Sequence, residues 1–236
     1  MERKEKIRNV CLHQALNTGL VIWVKWTAFQ DDQSTTAPMN RLSPVSDFNP
    51  PIPIMIGQRV LLRYPSHTDR DEFVALRRSS REHLERWEPI PPSGLDLYSN
   101  EAFDRELETH NTPTEQRWLI CLKDTGVIVG RIALGNIERG PFQNGRFGYW
   151  IGAEHTGRGL MSEALSLAVT HAFTAPDNGG LGLHRVCANI MPSNIASRRV
   201  LERVGLVKEG YSENYLQIQG KWEDHERWGM TASSFV

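Results

Sequence analysis

The residues best suited to chemistry lie between Thr156 and Met161, where Gly157 and Gly159 flank Arg158 at the junction of a strand-like run and an apolar helical run. Two glycines at this spacing let a backbone approach an anion with no Cβ in the way, and the following helix aims its first N–H groups at the same point. A phosphate or diphosphate is the ligand that suits such a turn. The third glycine of the dinucleotide fingerprint is missing, and so is the Gly-Lys-Ser/Thr ending of a nucleoside-triphosphate loop. Standing alone, a Gly-x-Gly pattern is more often a tight turn. The second candidate pair is Asn194, a good helix N-cap type, with Ser197 three residues on along the same side of a helix. The plain alternative is that Asn194 only caps and Ser197 only touches the cap.

Other chemistries find no support in the spacing. His171, His184 and His225 are isolated and lack metal-ligand spacing, so no metal is expected. Cys187 lies in an apolar strand-like run and reads as buried filler. Ser162 and Glu163 fall inside a helix and not on a nucleophile elbow, which argues against a hydrolase.

The elements that must position these residues follow in regular alternation. A strand is predicted over 59–64, then a helix over 69–79 with Asp69 as its capping residue. A short helix over 81–87 stops before Pro89, and an acidic amphipathic helix covers 95–110 around Leu97, Phe103 and Leu107. Runs at 118–123 and 127–134 read as a hairpin over the turn at 124–126. A strand at 147–152 leads into the helix at 159–173, and a buried strand at 184–190 leads into the helix at 194–204, ended by Gly205. Strands at 214–219 and 223–230 finish an α+β domain.

At 236 residues, the chain can bury one sizeable core plus an appendage. A formal net charge of −1 argues against a general nucleic-acid binder, while leaving room for a basic protein recognised by a local acidic patch. Cys11, Cys121 and Cys187 give no disulfide framework, which points to a reducing cytoplasm. Arg3, Lys4, Lys6 and Arg8 precede an apolar run at 20–29. Lys25 interrupts that run, no small-residue cleavage site follows it, and it falls short of the roughly 20 residues needed to span a bilayer, so neither export nor membrane insertion is expected. Residues 1–58 read as a leader, with the domain over 59–232. The polar stretch and Pro44, Pro50, Pro51 and Pro53 cannot propagate a helix or enter a sheet interior. Met39 is a candidate start, which would make 1–38 an upstream extension; the alternative is a weakly ordered tail.

Taken together, the Gly157-Arg158-Gly159 loop, the Asn194–Ser197 helix start, and Val204-Gly205-Leu206 followed by Glu209-Gly210 resemble the GNAT acetyltransferase superfamily. Segments 81–89 and 209–225 are similar to its branch of ribosomal-protein-alanine N-acetyltransferases, and the resemblance runs over 59–230. It implies a strongly twisted, mixed, mostly antiparallel sheet with helices on both faces. It also implies direct transfer from acetyl-CoA to the N-terminal alanine of a ribosomal protein. A small amine such as an amino acid or antibiotic is the alternative acceptor, and a weakly catalytic CoA-binding module the alternative function. A monomer or a homodimer fits. By the resemblance, the backbone of Thr156, Gly157, Arg158, Gly159, Leu160 and Met161 holds the CoA diphosphate. Ile151 and Gly152 bond the pantetheine arm and the acetyl carbonyl, and Asn194 touches the arm. Ser197 serves the departing thiolate, because Leu201 stands where many relatives have a tyrosine. Glu154 replaces a glutamine or arginine and is expected to point outward. Leu216 stands where one relative has a glutamate, so no general base is matched; a water chain or a carboxylate of the acidic helix is left to serve. Glu101, Asp104, Glu106 and Glu108 form either an acidic rim for a basic tail or simply a solvated helix face.

Overall fold

Alternation along the strands decides which side of the sheet each helix covers. In β4 (Glu115–Leu122), Trp118 and Ile120 join one buried cluster while Leu119 and Cys121 join another, as the two-residue period of a strand requires. The computed structural model describes residues 52–91 and 94–235. The leader through residue 51, with the run at 20–29 and the candidate start at Met39, lies outside the described residues.

The described chain runs β1 (Pro53–Ile56), β2 (Val60–Arg63), α1 (Arg70–Ser79), α2 (Arg81–Glu85), α3 (Asn100–Thr109), β3 (Asn111–Thr112), β4 and β5 (Ile128–Glu138). It continues through β6 (Asn144–Ile151), α4 (Leu160–Phe173), β7 (Arg185–Ile190), α5 (Ile195–Val204), β8 (Val207–Ile218) and β9 (Lys221–Thr231). One nine-stranded sheet has the order β1-β2-β4-β5-β6-β7-β9-β8, with β3 beside β4. Every pairing is antiparallel except β6–β7, the two strands joined through α4. This is the mixed α+β fold expected.

Helices α4 and α5 cover one face. Leu160, Met161, Ala164, Leu165, Ala168, Val169 and Ala172 are buried there against Phe147, Val186, Ala188 and Leu201, which explains why α4 is apolar nearly all round. Burying each large aliphatic side chain contributes about 1.5–3 kcal/mol. Helices α1 and α3 cover part of the other face, with the Phe73 ring 5.0 Å from Phe103 and 5.4 Å from Trp150.

Some boundaries differ from expectation. β1 lies inside the stretch read as leader; Pro53 opens it at the sheet edge, where a missing N–H costs no interior ladder bond. α3 begins at Asn100, because the Ser99 hydroxyl accepts from the Ala102 amide and caps the helix there. Asp69 does not cap α1. Its carboxylate is turned back to the Ser66 amide at 2.7 Å and to both terminal nitrogens of Arg63, each at 2.7 Å, a buried bidentate pair. The last two strands are longer than their local signals and form one extended ribbon.

Candidate active site

β6 and β7 stay paired from Asn144 opposite Arg185 to Phe147 opposite Ala188, and then part. β6 continues to Ile151 bonded only to β5. The Gly152 amide donates to the Val129 carbonyl at 2.8 Å, on the β5 side. Alternation therefore turns the N–H and C=O groups of Ile151 and Tyr149 into the gap left by β7. Because β6 and β7 are parallel, α4 and α5 both begin at this end, and they pack together on the same face. An open wedge of backbone thus lies beneath two helix N-termini, a place that favours negative charge.

The loop into α4 is set by glycine. Gly157 and Gly159 have φ of 72° and 76°, the left-handed region that other residues enter only at a cost. A Cβ on Gly157 would meet no protein atom within 4 Å, so the space before it is free for a ligand. The loop is braced from behind by Arg59, whose Nη1 donates to the Arg158 carbonyl at 2.8 Å and whose Nε donates to Glu163 Oε2 at 2.9 Å. Glu163 Oε1 also accepts the amides of Arg59 at 2.7 Å and Val60 at 3.2 Å. Burial alone would raise the Glu163 carboxyl, but these bonds hold it below the ordinary carboxylate range. With the Arg158 carbonyl turned to Arg59, the planar trans peptide points the Gly159 N–H the opposite way. Among the described residues, the amides of Gly157, Arg158, Gly159, Leu160 and Met161 have no backbone carbonyl partner. Leu160 and Met161 are themselves buried, so only their N–H groups can serve a ligand.

Two expected ligand contacts are not available. The Gly152 amide is taken by Val129, and its carbonyl accepts the His155 amide at 2.9 Å, so strand-like bonds to a ligand fall to Ile151 and not to Gly152. The Thr156 amide and hydroxyl both bond the Ala153 carbonyl, at 3.3 and 2.9 Å, closing a turn instead of opening toward an anion.

At the start of α5, Asn194 Oδ1 accepts the Ser197 amide at 3.0 Å, so Asn194 is a true cap. The Ser197 hydroxyl is 2.7 Å from the Tyr149 hydroxyl. Burial raises the Tyr149 phenol well above its ordinary pKa, and the bond to Ser197 offsets only part of this, so Tyr149 remains protonated. Sequence reasoning missed Tyr149. The available signal was period two on β6, which puts Phe147, Tyr149 and Ile151 on the face that α5 covers. Leu201 is 0% exposed, deep in the core. Leu216 is exposed on β8. Glu154 points outward as expected, its side chain 74% exposed beside His155.

The acidic rim does not form. Glu106 is 6% exposed and bonds Arg117 Nη1 at 2.8 Å and both Nε and Nη2 of Arg131, while Asp104 pairs with Arg70 at 2.8 Å. Of the four carboxylates of that expected rim, Glu101 and Glu108 are the exposed ones. Cys187 is half-buried beside an open cavity and so is not core filler; Cys121 is the buried thiol, pushed by burial up to about 11. His171 stacks edge-on to Trp118, His225 is buried beside Tyr215, and His184 is exposed. Among the described residues no three His, Cys, Asp or Glu side chains converge to hold a metal, and no helix is long and apolar enough to cross a membrane.

Comparison with known proteins accords with this geometry. The model of the acetyltransferase (GNAT) domain matches residues 59–207. The chain is 32% identical over 174 residues to the probable N-acetyltransferase YjcK of Bacillus subtilis, covering 72% of this chain and 92% of that one. It is 30% identical over 184 residues to the ribosomal protein uS5-alanine N-acetyltransferase of Escherichia coli, covering 75% and 90% of the two chains. Among solved structures, Mycobacterium smegmatis RimJ in complex with CoA-disulfide is similar with a TM-score of 0.64 and 31% identity, over 74% of this chain and 82% of that one. A glycine cradle at one helix start, a capped second helix and a parted pair of parallel strands between them make this chain a member of the GNAT acetyltransferase family, an acyltransferase.

Proposed function

We propose that the protein transfers the acetyl group of acetyl-CoA to the N-terminal alanine of a ribosomal protein, working in the cytoplasm. The observation that carries this is the wedge between β6 and β7 under two helix starts, in a chain similar over three quarters of its length to a uS5-alanine N-acetyltransferase. The unpartnered amides from Gly157 to Met161, with open space before Gly157, fit the CoA diphosphate. The Asn194 carboxamide, anchored through Oδ1, can offer its N–H₂ to the pantetheine arm.

The Ile151 amide faces the gap where a thioester carbonyl must lie, and donates to the oxygen as negative charge develops on it. A serine hydroxyl has too high a pKa to be a strong acid. Ser197 therefore acts as a hydrogen-bond donor to the departing thiolate, with the Tyr149 hydroxyl, which stays protonated, bonded behind it to orient it.

The test is direct. The full chain is incubated with acetyl-CoA and, separately, with an Ala-starting peptide, spermidine and free amino acids, and released thiol is followed. Tandem mass spectrometry is expected to find the acetyl group on the peptide's first residue. Turnover of free small amines with none of the peptide would overturn the proposal.

A further inference from the structure

On the sheet face opposite α4 and α5, α1 reaches β6 only at Trp150, and no helix residue among the described ones joins a buried cluster on that face of β7, β9 or β8. A cavity of about 310 Å³ opens there, with Arg146, Arg185 and Arg227 in its lining. Arg185 is already matched, bonding Asn144 Oδ1 at 2.8 Å and pairing with Glu209. Arg146 and Arg227 are not: neither has a carboxylate partner among the described residues, and Arg146 Nη1 reaches only the Tyr215 hydroxyl, at 3.4 Å.

The Arg227 guanidinium has a prepared seat. A Cβ built on Gly210 of β8 would fall 2.5 Å from Arg227 Nη2, 3.3 Å from its Cζ and 3.4 Å from its Nε, so the fork lies over bare backbone. Gly229 of β9 differs: a Cβ there would meet the Glu209 carboxylate first and lie 2.6 Å from Arg185 Nη2, so the matched Arg185–Glu209 pair fills that space and Glu209 also lines the cavity. The Arg227 seat also lies next to the wedge. Arg227 stands opposite Asn189, the residue just past the last β6–β7 pair, and Asn189 Nδ2 donates to the Tyr215 hydroxyl at 2.9 Å. Glu138 also lines the cavity, but beside Asn144, the pairing farthest from the wedge. The positive charge without a partner therefore gathers where an amine must enter, since α4 and α5 close the other face.

We infer that the acceptor carries a carboxylate close to its amine, and that Arg227 and Arg146 bind it. A planar guanidinium fork matches a carboxylate in charge and in shape, and two forks beside the wedge orient the amine as they hold it. This rests on the proposed acetyl transfer and narrows its acceptor. It reverses the expectation that an acidic surface greets a basic tail. The carboxylate can belong to an acidic residue just after the first position of a protein, or to a free amino acid.

The experiment uses the full chain, acetyl-CoA, and Ala-starting peptides that differ only in Asp, Asn or Lys at the second and third positions, with free glutamate and spermidine as further arms. The Asp peptide is expected to exceed the Asn peptide in kcat/KM by about tenfold, the scale of one charge-assisted hydrogen bond, with Lys slowest. In Arg227→Gln and Arg146→Gln the Asp/Asn ratio should fall toward one. Gly210→Ala, which dislodges the Arg227 fork without removing its charge, should lower it as well, with thermal melts confirming each fold. Faster turnover of free glutamate than of any peptide would identify a small-molecule source and overturn only the protein acceptor. Equal rates for the Asp, Asn and Lys peptides, or a ratio that survives both arginine changes, would overturn the arginine assignment alone. Activity on spermidine only would overturn both.

Discussion

The hydroxyl groups of Tyr149 and Ser197, 2.7 Å apart, tie the free end of β6 to the first turn of α5 across the mouth of the wedge. Each places the other. If Ser197 supplies the bond to the leaving thiolate, Ser197→Ala should lower kcat by about a hundredfold, near the low end for acid–base groups, with little change in acetyl-CoA affinity. Tyr149→Phe should cost less, and the double variant little more than Ser197→Ala, because the two act as one unit. Single-turnover kinetics on the three variants checks this; fully additive losses would show two separate roles.

The cradle makes a different demand. Gly157→Asp forces φ of 72° on a residue with a Cβ and sets a carboxylate in the open space before the loop. Folding should lose about 1–2 kcal/mol from the backbone alone, whereas CoA affinity should fall far more steeply. Calorimetric titration of the folded variant with CoA is the check, and an unaltered Kd would remove the loop from the site.

Glu106 now belongs to the core. Burial alone would raise its carboxyl, but Arg131 and Arg117 hold it below the ordinary range. Glu106→Gln leaves two guanidiniums under-compensated, and denaturant melts should show a loss of about 3–5 kcal/mol. Glu101→Gln and Glu108→Gln, both exposed, should leave stability close to that of the parent. Equal stability of all three variants would show that the buried triad contributes little.

His171 offers a pH test. Burial holds its pKa below the ordinary value, so the unfolded chain takes up the proton first as pH falls. Its contribution to stability is full above a pH of about 6.5, declines below it, and levels off once pH passes the folded pKa. Thermal melts from pH 8 to 5 should show a steeper decline for the parent than for His171→Gln. Parallel curves would place the proton elsewhere.

What could be read from the sequence was what local rules govern. The apolar circumference of α4, the glycine stop at Gly205 with φ of 96°, and the alternation on β4 each announce an element from its own residues. Glu106 was misjudged as surface although it lies three residues after Phe103 and so on the buried side of its helix, a signal hidden by the carboxylates around it. The wedge had no local signature, because it depends on where β7 stops tracking β6. The bonds that the Gly152 and Thr156 amides make within the chain had no local signature either, because the partners of a backbone amide are chosen by the whole fold.

The brace on the loop into α4 begins before the first motif. Glu163 reaches so close to Gly57 that a Cβ there would lie 2.6 Å from Oε1, the oxygen that also accepts the Arg59 and Val60 amides. The Gly57 amide closes the turn onto the Val60 carbonyl at 2.8 Å, and β1 pairs along β2 just ahead of it. The link from leader to domain is thus also a mechanical stay for the cradle. A chain shortened to Arg59 would keep every residue proposed to touch acetyl-CoA and is still expected to bind it more weakly, whereas one that begins ahead of Pro53 carries the anchorage with it.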